Sequence, residues 1–167
     1  MAIIFRLVFS LRCLKIIVSL QDSKKQDSMN IEEQKKIIES QEGLSRTLGM
    51  EFLSTPEDDT CMARMKVNST NRQPFGFLSG GATLALAENL AGVGSMALCP
   101  KKIPVGINVS GNHVLAVKEG DTVTAYGKLQ HKGTTLHEWQ IDIKNSEGKL
   151  ISTVHVTNYI ISPRKND

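Results

Sequence analysis

Between Gln73 and Pro100 the chain runs for 28 residues without a basic side chain and with a single ionisable carboxylate, Glu88. Small and apolar residues dominate this stretch. Gly80-Gly81 stands near its front and Pro100 closes it, which predicts a buried helix over about residues 80–98. Thr83, Glu88, Asn89 and Ser95 make it too polar, and its length makes it too short, for a convincing membrane span. A helix apolar on nearly every side must be wrapped by protein, so the rest of the chain has to close around it.

The wrapping is legible further along. After Pro104 the hydrophobic period changes from helical to two: Val123, Ala125 and Gly127 alternate with Thr124, Tyr126 and Lys128, and Trp139, Ile141 and Ile143 with Glu138, Gln140 and Asp142. Asn145-Ser146-Glu147-Gly148 is a hairpin turn that returns the chain through residues 151–160. The tail therefore reads as an antiparallel meander of about four strands. Residues 50–55 and 60–68 are extended segments joined by the turn Pro56-Glu57-Asp58-Asp59. Ile31, Ile37, Ile38 and Leu44 mark one stripe of a short surface helix over residues 30–45. An antiparallel sheet needs an apolar cover on one face, and the 80–98 helix is the one candidate large enough. The expected fold is α+β, with the sheet curled around that central helix.

At 167 residues the chain suits one domain, and its formal charge of +3 resides in residues 1–28. Residues 29–167 balance 15 basic against 15 acidic side chains, and no basic stripe interrupts them before Arg164-Lys165. Nucleic acid is thereby set aside as a partner. Cys13, Cys61 and Cys99 form no Cys-x-x-Cys pair, which fits reduced thiols and a cytoplasmic location. His113, His131, His137 and His155 lack metal-ligand spacing, so no metal site is expected. The apolar segment 1–20 carries three spaced cations and fits neither a spanning helix nor a secretory signal. Residues 1–28 are read as an upstream over-read ahead of a true start at Met29, or as a basic N-terminal extension lying on a membrane.

Glu88 needs an explanation, because an ionised carboxylate in an apolar setting costs several kcal/mol unless paired. It either lies on an exposed or subunit-facing stripe beside Asn89, or sits in a cleft as nucleophile or general base. Gln73-Pro74-Phe75-Gly76 forms a constrained turn ahead of Ser79-Gly80-Gly81, whose bare amides at a helix N-terminus suit developing negative charge. Gly80 and Glu88 are nevertheless about 12 Å apart along one helix. Antiparallel helices in a two-fold dimer would bring Gly80 of one copy beside Glu88 of the other, giving two shared sites.

Gln73-Pro-Phe-Gly-Phe-Leu-Ser-Gly-Gly-Ala82, Leu86-Ala-Glu88-Asn89, Asn108-Val-Ser-Gly-Asn112-His113-Val114, Trp139-Gln-Ile-Asp-Ile143 and Glu147-Gly148-Lys149 resemble the hotdog-fold acyl-CoA thioesterases. Within that fold the resemblance is to Glu-dependent 4-hydroxybenzoyl-CoA thioesterase and 1,4-dihydroxy-2-naphthoyl-CoA hydrolase, over roughly residues 31–161. It implies a hotdog domain over residues 29–167 with five to six strands. It implies acyl-CoA hydrolysis, on an aromatic acyl group, with no cofactor beyond the CoA of the substrate, by a homodimer with shared sites that extends to a tetramer. Glu88 would attack the thioester or activate water, Gly80 N–H would polarise the carbonyl, and Gln73 would orient the acyl group or water. Phe75, Ser79, Gly81 and Gly92 fall near the substrate, and His113, Gly133, Thr134 and Thr135 at CoA-contacting positions.

Family members commonly have His-Gly-Gly where this chain has Ser79-Gly80-Gly81, and a hydroxyl residue one turn after the catalytic Glu, where this chain has Gly92. Two other activities remain open on the same scaffold. A non-catalytic acyl-CoA-binding module is one. A hydroxyacyl-thioester dehydratase is the other; it needs a His paired with a carboxylate near the helix start, and residues 1–112 contain no histidine.

Overall fold

A computed structural model describes residues 29–163; residues 1–28, with the over-read or extension expected there, lie outside the described residues, as do 164–167. Along the chain run α1 (Glu32–Glu39), α2 (Leu44–Thr47), β1 (Met50–Leu53), β2 (Thr60–Lys66), α3 (Gly80–Leu98), β3 (Ile103–His113), β4 (Thr122–Lys132), β5 (Leu136–Lys144) and β6 (Leu150–Ile161). α3 occupies the stretch that composition marked out. Of its 19 residues only Gly81 is exposed, and the six strands form one antiparallel sheet around it.

Strand order is β1-β2-β4-β5-β6-β3, with antiparallel pairing throughout. The expected four-strand meander is therefore corrected: β4, β5 and β6 follow one another, but β3 lies beyond β6 on the far edge. The chain between β3 and β4 is too long for a tight hairpin. It crosses the front of the helix instead, where Val117 O accepts from Leu78 N at 2.8 Å and Asp121 O from Val67 N at 2.8 Å. Among the described residues β3 has an unpaired outer edge.

The period-two pattern faces inward as expected, burying Val123, Ala125, Trp139, Ile141, Ile143, Val154 and Val156 against Leu86 and Leu90 of α3. Each buried Val, Leu or Ile stabilises by about 1.5–3 kcal/mol relative to exposure. Helix and sheet approach closely at Gly94, where an added Cβ would lie 2.7 Å from Trp139 Cη2. Below it, buried Ser95 Oγ takes hydrogen bonds from Trp139 Nε1 (2.9 Å) and Asn158 Nδ2 (3.0 Å), and lies 3.1 Å from His137 Nδ1. One hydroxyl thus ties α3 to both β5 and β6.

The expected helix over residues 30–45 is broken. α1 stops at Ser40, whose hydroxyl bonds to Ile37 O at 2.8 Å, and Gly43 precedes the single turn of α2. Ile31 is buried and Ile38 half-buried, whereas Ile37 and Leu44 face solvent, so the four do not share one stripe. Met29 is buried and its N–H donates to Glu57 O at 3.2 Å. Among the described residues no helix is long and apolar enough to cross a membrane.

Candidate active site

The segment before α3 is held by its own backbone. Gly76 N donates to Gln73 O at 3.0 Å, Gln73 N to Phe77 O at 2.8 Å and Ser79 N to Asn71 O at 2.9 Å; Gly76 supplies the positive φ of 83° that closes the turn. Buried Asn71 staples the segment to β2 by donating from Nδ2 to Lys66 O at 2.8 Å and accepting from Asn68 N at 2.9 Å. Arg72 Nε pairs with Glu119 Oε2 at 2.8 Å. Gln73 is thereby fixed, half-buried, at the rim of a cavity of about 310 Å³ lined also by Gly80, Thr83, His113, Leu115 and Ser152.

The floor of that cavity is the N-terminus of α3. The first helical bond runs from Thr83 N to Ser79 O at 3.0 Å, so the amides of Gly80, Gly81 and Ala82 have no partner in the helix. Ser79 stands at the N-cap position, yet its hydroxyl makes no capping bond. His113, from the end of β3, lays its ring over Gly80: a Cβ there would lie 2.8 Å from Nε2. A helix terminus whose amides and dipole favour negative charge is thus joined by an imidazole and the Gln73 side chain.

His113 overturns one expectation. Its absence from residues 1–112 does not keep a histidine from the helix start, because β3 carries it there from the far edge of the sheet. Among the described residues its hydrogen-bond partner is the hydroxyl of Ser152, at 2.8 Å, not a carboxylate.

Glu88 lies elsewhere on the helix, half-buried over β3, where an added methyl at Gly106 would overlap its carboxylate oxygen Oε1. β3 shifts register between Gly106 and Asn108 at this point, a bulge beside the carboxylate. Among the described residues no cation pairs with Glu88. Gln73, Gly80 and His113 are therefore together, and Glu88 is apart from them in the same chain, as the helical separation requires.

The other expected site residues scatter. Phe75 is 82% exposed at the turn tip, outside the cavity of its own chain. Gly81 is exposed, and Gly92 faces open space on the same side of α3 as Glu88. Gly133, Thr134 and Thr135 lie at the opposite end of the molecule from His113. His113 pairs with Ser152 on β6 whereas Leu136, next to that turn, pairs with Tyr159, about 23 Å further along the strand. Three contributors were not singled out from the sequence: Asn71, Gly106 and Ser152. An Asn before a turn was the one available signal, since partners across a sheet depend on register.

A helix wrapped by a six-stranded antiparallel sheet, with a donor-lined cavity at its N-terminus, defines a hotdog fold. The family model of the thioesterase superfamily matches residues 75–152. A Deinococcus radiodurans protein named as a candidate esterase is 42% identical over 126 residues, covering 71% of this chain and 74% of that protein. The 1,4-dihydroxy-2-naphthoyl-CoA hydrolase of Listeria monocytogenes is 33% identical over 124 residues, covering 74% and 99%. A crystal structure of a Haemophilus influenzae thioesterase superposes with a TM-score of 0.74 at 29% identity, covering 85% of this chain and 98% of that one. The chain belongs to the thioesterase superfamily and is a thioester hydrolase of the hotdog fold.

Proposed function

We propose that this protein hydrolyses acyl-CoA thioesters, aromatic acyl groups in particular, in a two-fold dimer whose sites join Gln73 and Gly80 of one protomer to Glu88 of the other. The observation that carries this reading is the position of Glu88. Its carboxylate is half-buried against β3, at the open edge of the sheet, while the donor-lined cavity lies about 12 Å away along the helix. That edge exposes Ile103, Val105 and Ile107, and Tyr159 and Ile161 beside them on β6. A long apolar edge strand left in water invites pairing, and a second copy is the self-complementary partner. Antiparallel β3 edges would set the two α3 helices side by side in opposite directions. The turn Gly133–Thr135, at the far end of its own chain, then belongs with the partner's cavity, where its amides and hydroxyls suit CoA phosphates.

Two routes lead through such a site. In one, a Glu88 oxygen bonds to the carbonyl carbon, the C–S bond breaks, the thiolate leaves and is protonated, and water then hydrolyses the mixed anhydride, freeing Glu88. In the other, Glu88 takes a proton from water, the hydroxide adds to the carbon, and the thiol departs with that proton. Negative charge gathers on the carbonyl oxygen in both, which is where the Gly80 N–H and the helix dipole act; one such donor in a water-poor site is worth about 3–4 kcal/mol. Gln73 orients the acyl group or water. The open space at Gly92 and the small Ser79 leave room for a flat ring, and the name of the Listeria relative supports an aromatic acid.

Thiol release from a panel of aliphatic and aromatic acyl-CoAs tests the reading. Glu88→Ala is expected to lower kcat by about 1,000-fold with KM little changed. Undiminished turnover in that variant would remove Glu88 from the mechanism, and binding without thiol release by the wild type would favour a non-catalytic module.

A further inference from the structure

Ser152 is 2% exposed, and the ring of His113 is the sole hydrogen-bond partner of its hydroxyl among the described residues. The two residues stand directly opposite each other on β6 and β3, so both side chains project from the same face of the sheet. A serine hydroxyl carries one proton and must give it to an acceptor or leave it unpaired, which for a buried group costs about 1–3 kcal/mol. The acceptor within reach is His113 Nδ1. Donation from Ser152 therefore leaves Nδ1 without a proton and puts the ring's N–H on Nε2, the atom that faces Gly80. The reverse arrangement, with Nδ1–H donating to Ser152, strands the buried hydroxyl proton.

We propose that Ser152 is a positioning residue for thioester cleavage: its hydroxyl locks His113 in the Nε2–H tautomer, so that the imidazole and the Gly80 amide together receive the carbonyl oxygen. His113 is then a catalytic residue that touches the substrate, and Ser152 acts only through it. This rests on the reading of the cavity as the thioester site. It also accounts for Gly80 by size, since any side chain there would displace the ring that Ser152 holds.

Two measurements on the full chain test it. Long-range proton–nitrogen NMR reads the tautomer of His113 directly, with His113→Gln assigning the signals. The wild type is expected to show the Nε2–H form and Ser152→Ala a mixture of both. In steady-state assays with an acyl-CoA substrate, Ser152→Ala is expected to lower kcat about 10- to 100-fold with KM within about 3-fold. Ser152→Thr, which keeps the hydroxyl, should recover most of that loss, and thermal melting checks that both variants fold. His113→Gln, which offers an N–H near the same place, should retain more kcat than His113→Ala. A Ser152→Ala enzyme with wild-type kcat, or a wild-type ring carrying its proton on Nδ1, would overturn the proposal while leaving the hydrolase reading intact. A wild type that releases no thiol from any acyl-CoA would overturn the hydrolase reading and the catalytic use of His113 with it, and the NMR arm would still decide whether Ser152 sets the tautomer.

Discussion

Two glycines make room for the two ionisable side chains of the proposed chemistry. Gly80 lies under the His113 ring and Gly106 under the Glu88 carboxylate. Gly106→Ala, on the edge strand β3 and away from the core, would push the Glu88 carboxylate of α3 from its place. The expected outcome is a fall in kcat of about 10- to 100-fold with a nearly unchanged melting temperature, checked by kinetics and thermal melting on the same samples. Glu88 and Gly80 are legible in the sequence because a lone carboxylate and a Gly-Gly pair stand out in an apolar run. Gly106 and Ser152 are not, because a glycine or serine in a strand is ordinary until the register reveals what lies across from it.

At the scale of elements, α3 is held to the sheet by Ser95 as much as by apolar packing. Trp139 Nε1 and Asn158 Nδ2 both donate to its hydroxyl, whose own proton is left for His137 Nδ1. Ser95→Ala orphans these buried groups, and a stability loss of about 2–4 kcal/mol is expected by chemical denaturation. His137, 2% exposed, is neutral in this network: burial first, and then the charges of Lys132, His131 and Lys102, hold its pKa below the ordinary 6.5. The unfolded chain therefore binds a proton at His137 as pH falls through about 6.5 while the folded chain resists it. The stability this group contributes is complete above that pH and declines below it. Denaturation midpoints measured from about pH 7.5 to 5 should fall more steeply in the wild type than in His137→Gln; parallel curves would contradict the assignment. The bounds of α3 were readable from composition, and the inward faces of β4 and β5 from their period of two. The α1 break and the position of β3 were not, since a local serine bond and the long crossing between β3 and β4 decide them.

For the whole molecule, the sheet order puts an apolar strand on an open edge, and one chain separates the Glu88 carboxylate from the amides at the start of α3. A helix wrapped by a sheet follows from the sequence by elimination, since no other segment is apolar enough to cover the strands. The proposed two-chain site is argued from helical rise, which holds Gly80 and Glu88 of one helix about 12 Å apart. The most direct test mixes two inactive proteins, Glu88→Ala and Gln73→Ala, under conditions that exchange subunits. Each heterodimer then owns one intact site, combining Gln73 of the first chain with Glu88 of the second, and thiol release should return to about one quarter of the wild-type level in an equal mixture. A mixture as inactive as its parents, with exchange verified by tagged subunits, would contradict the two-chain site.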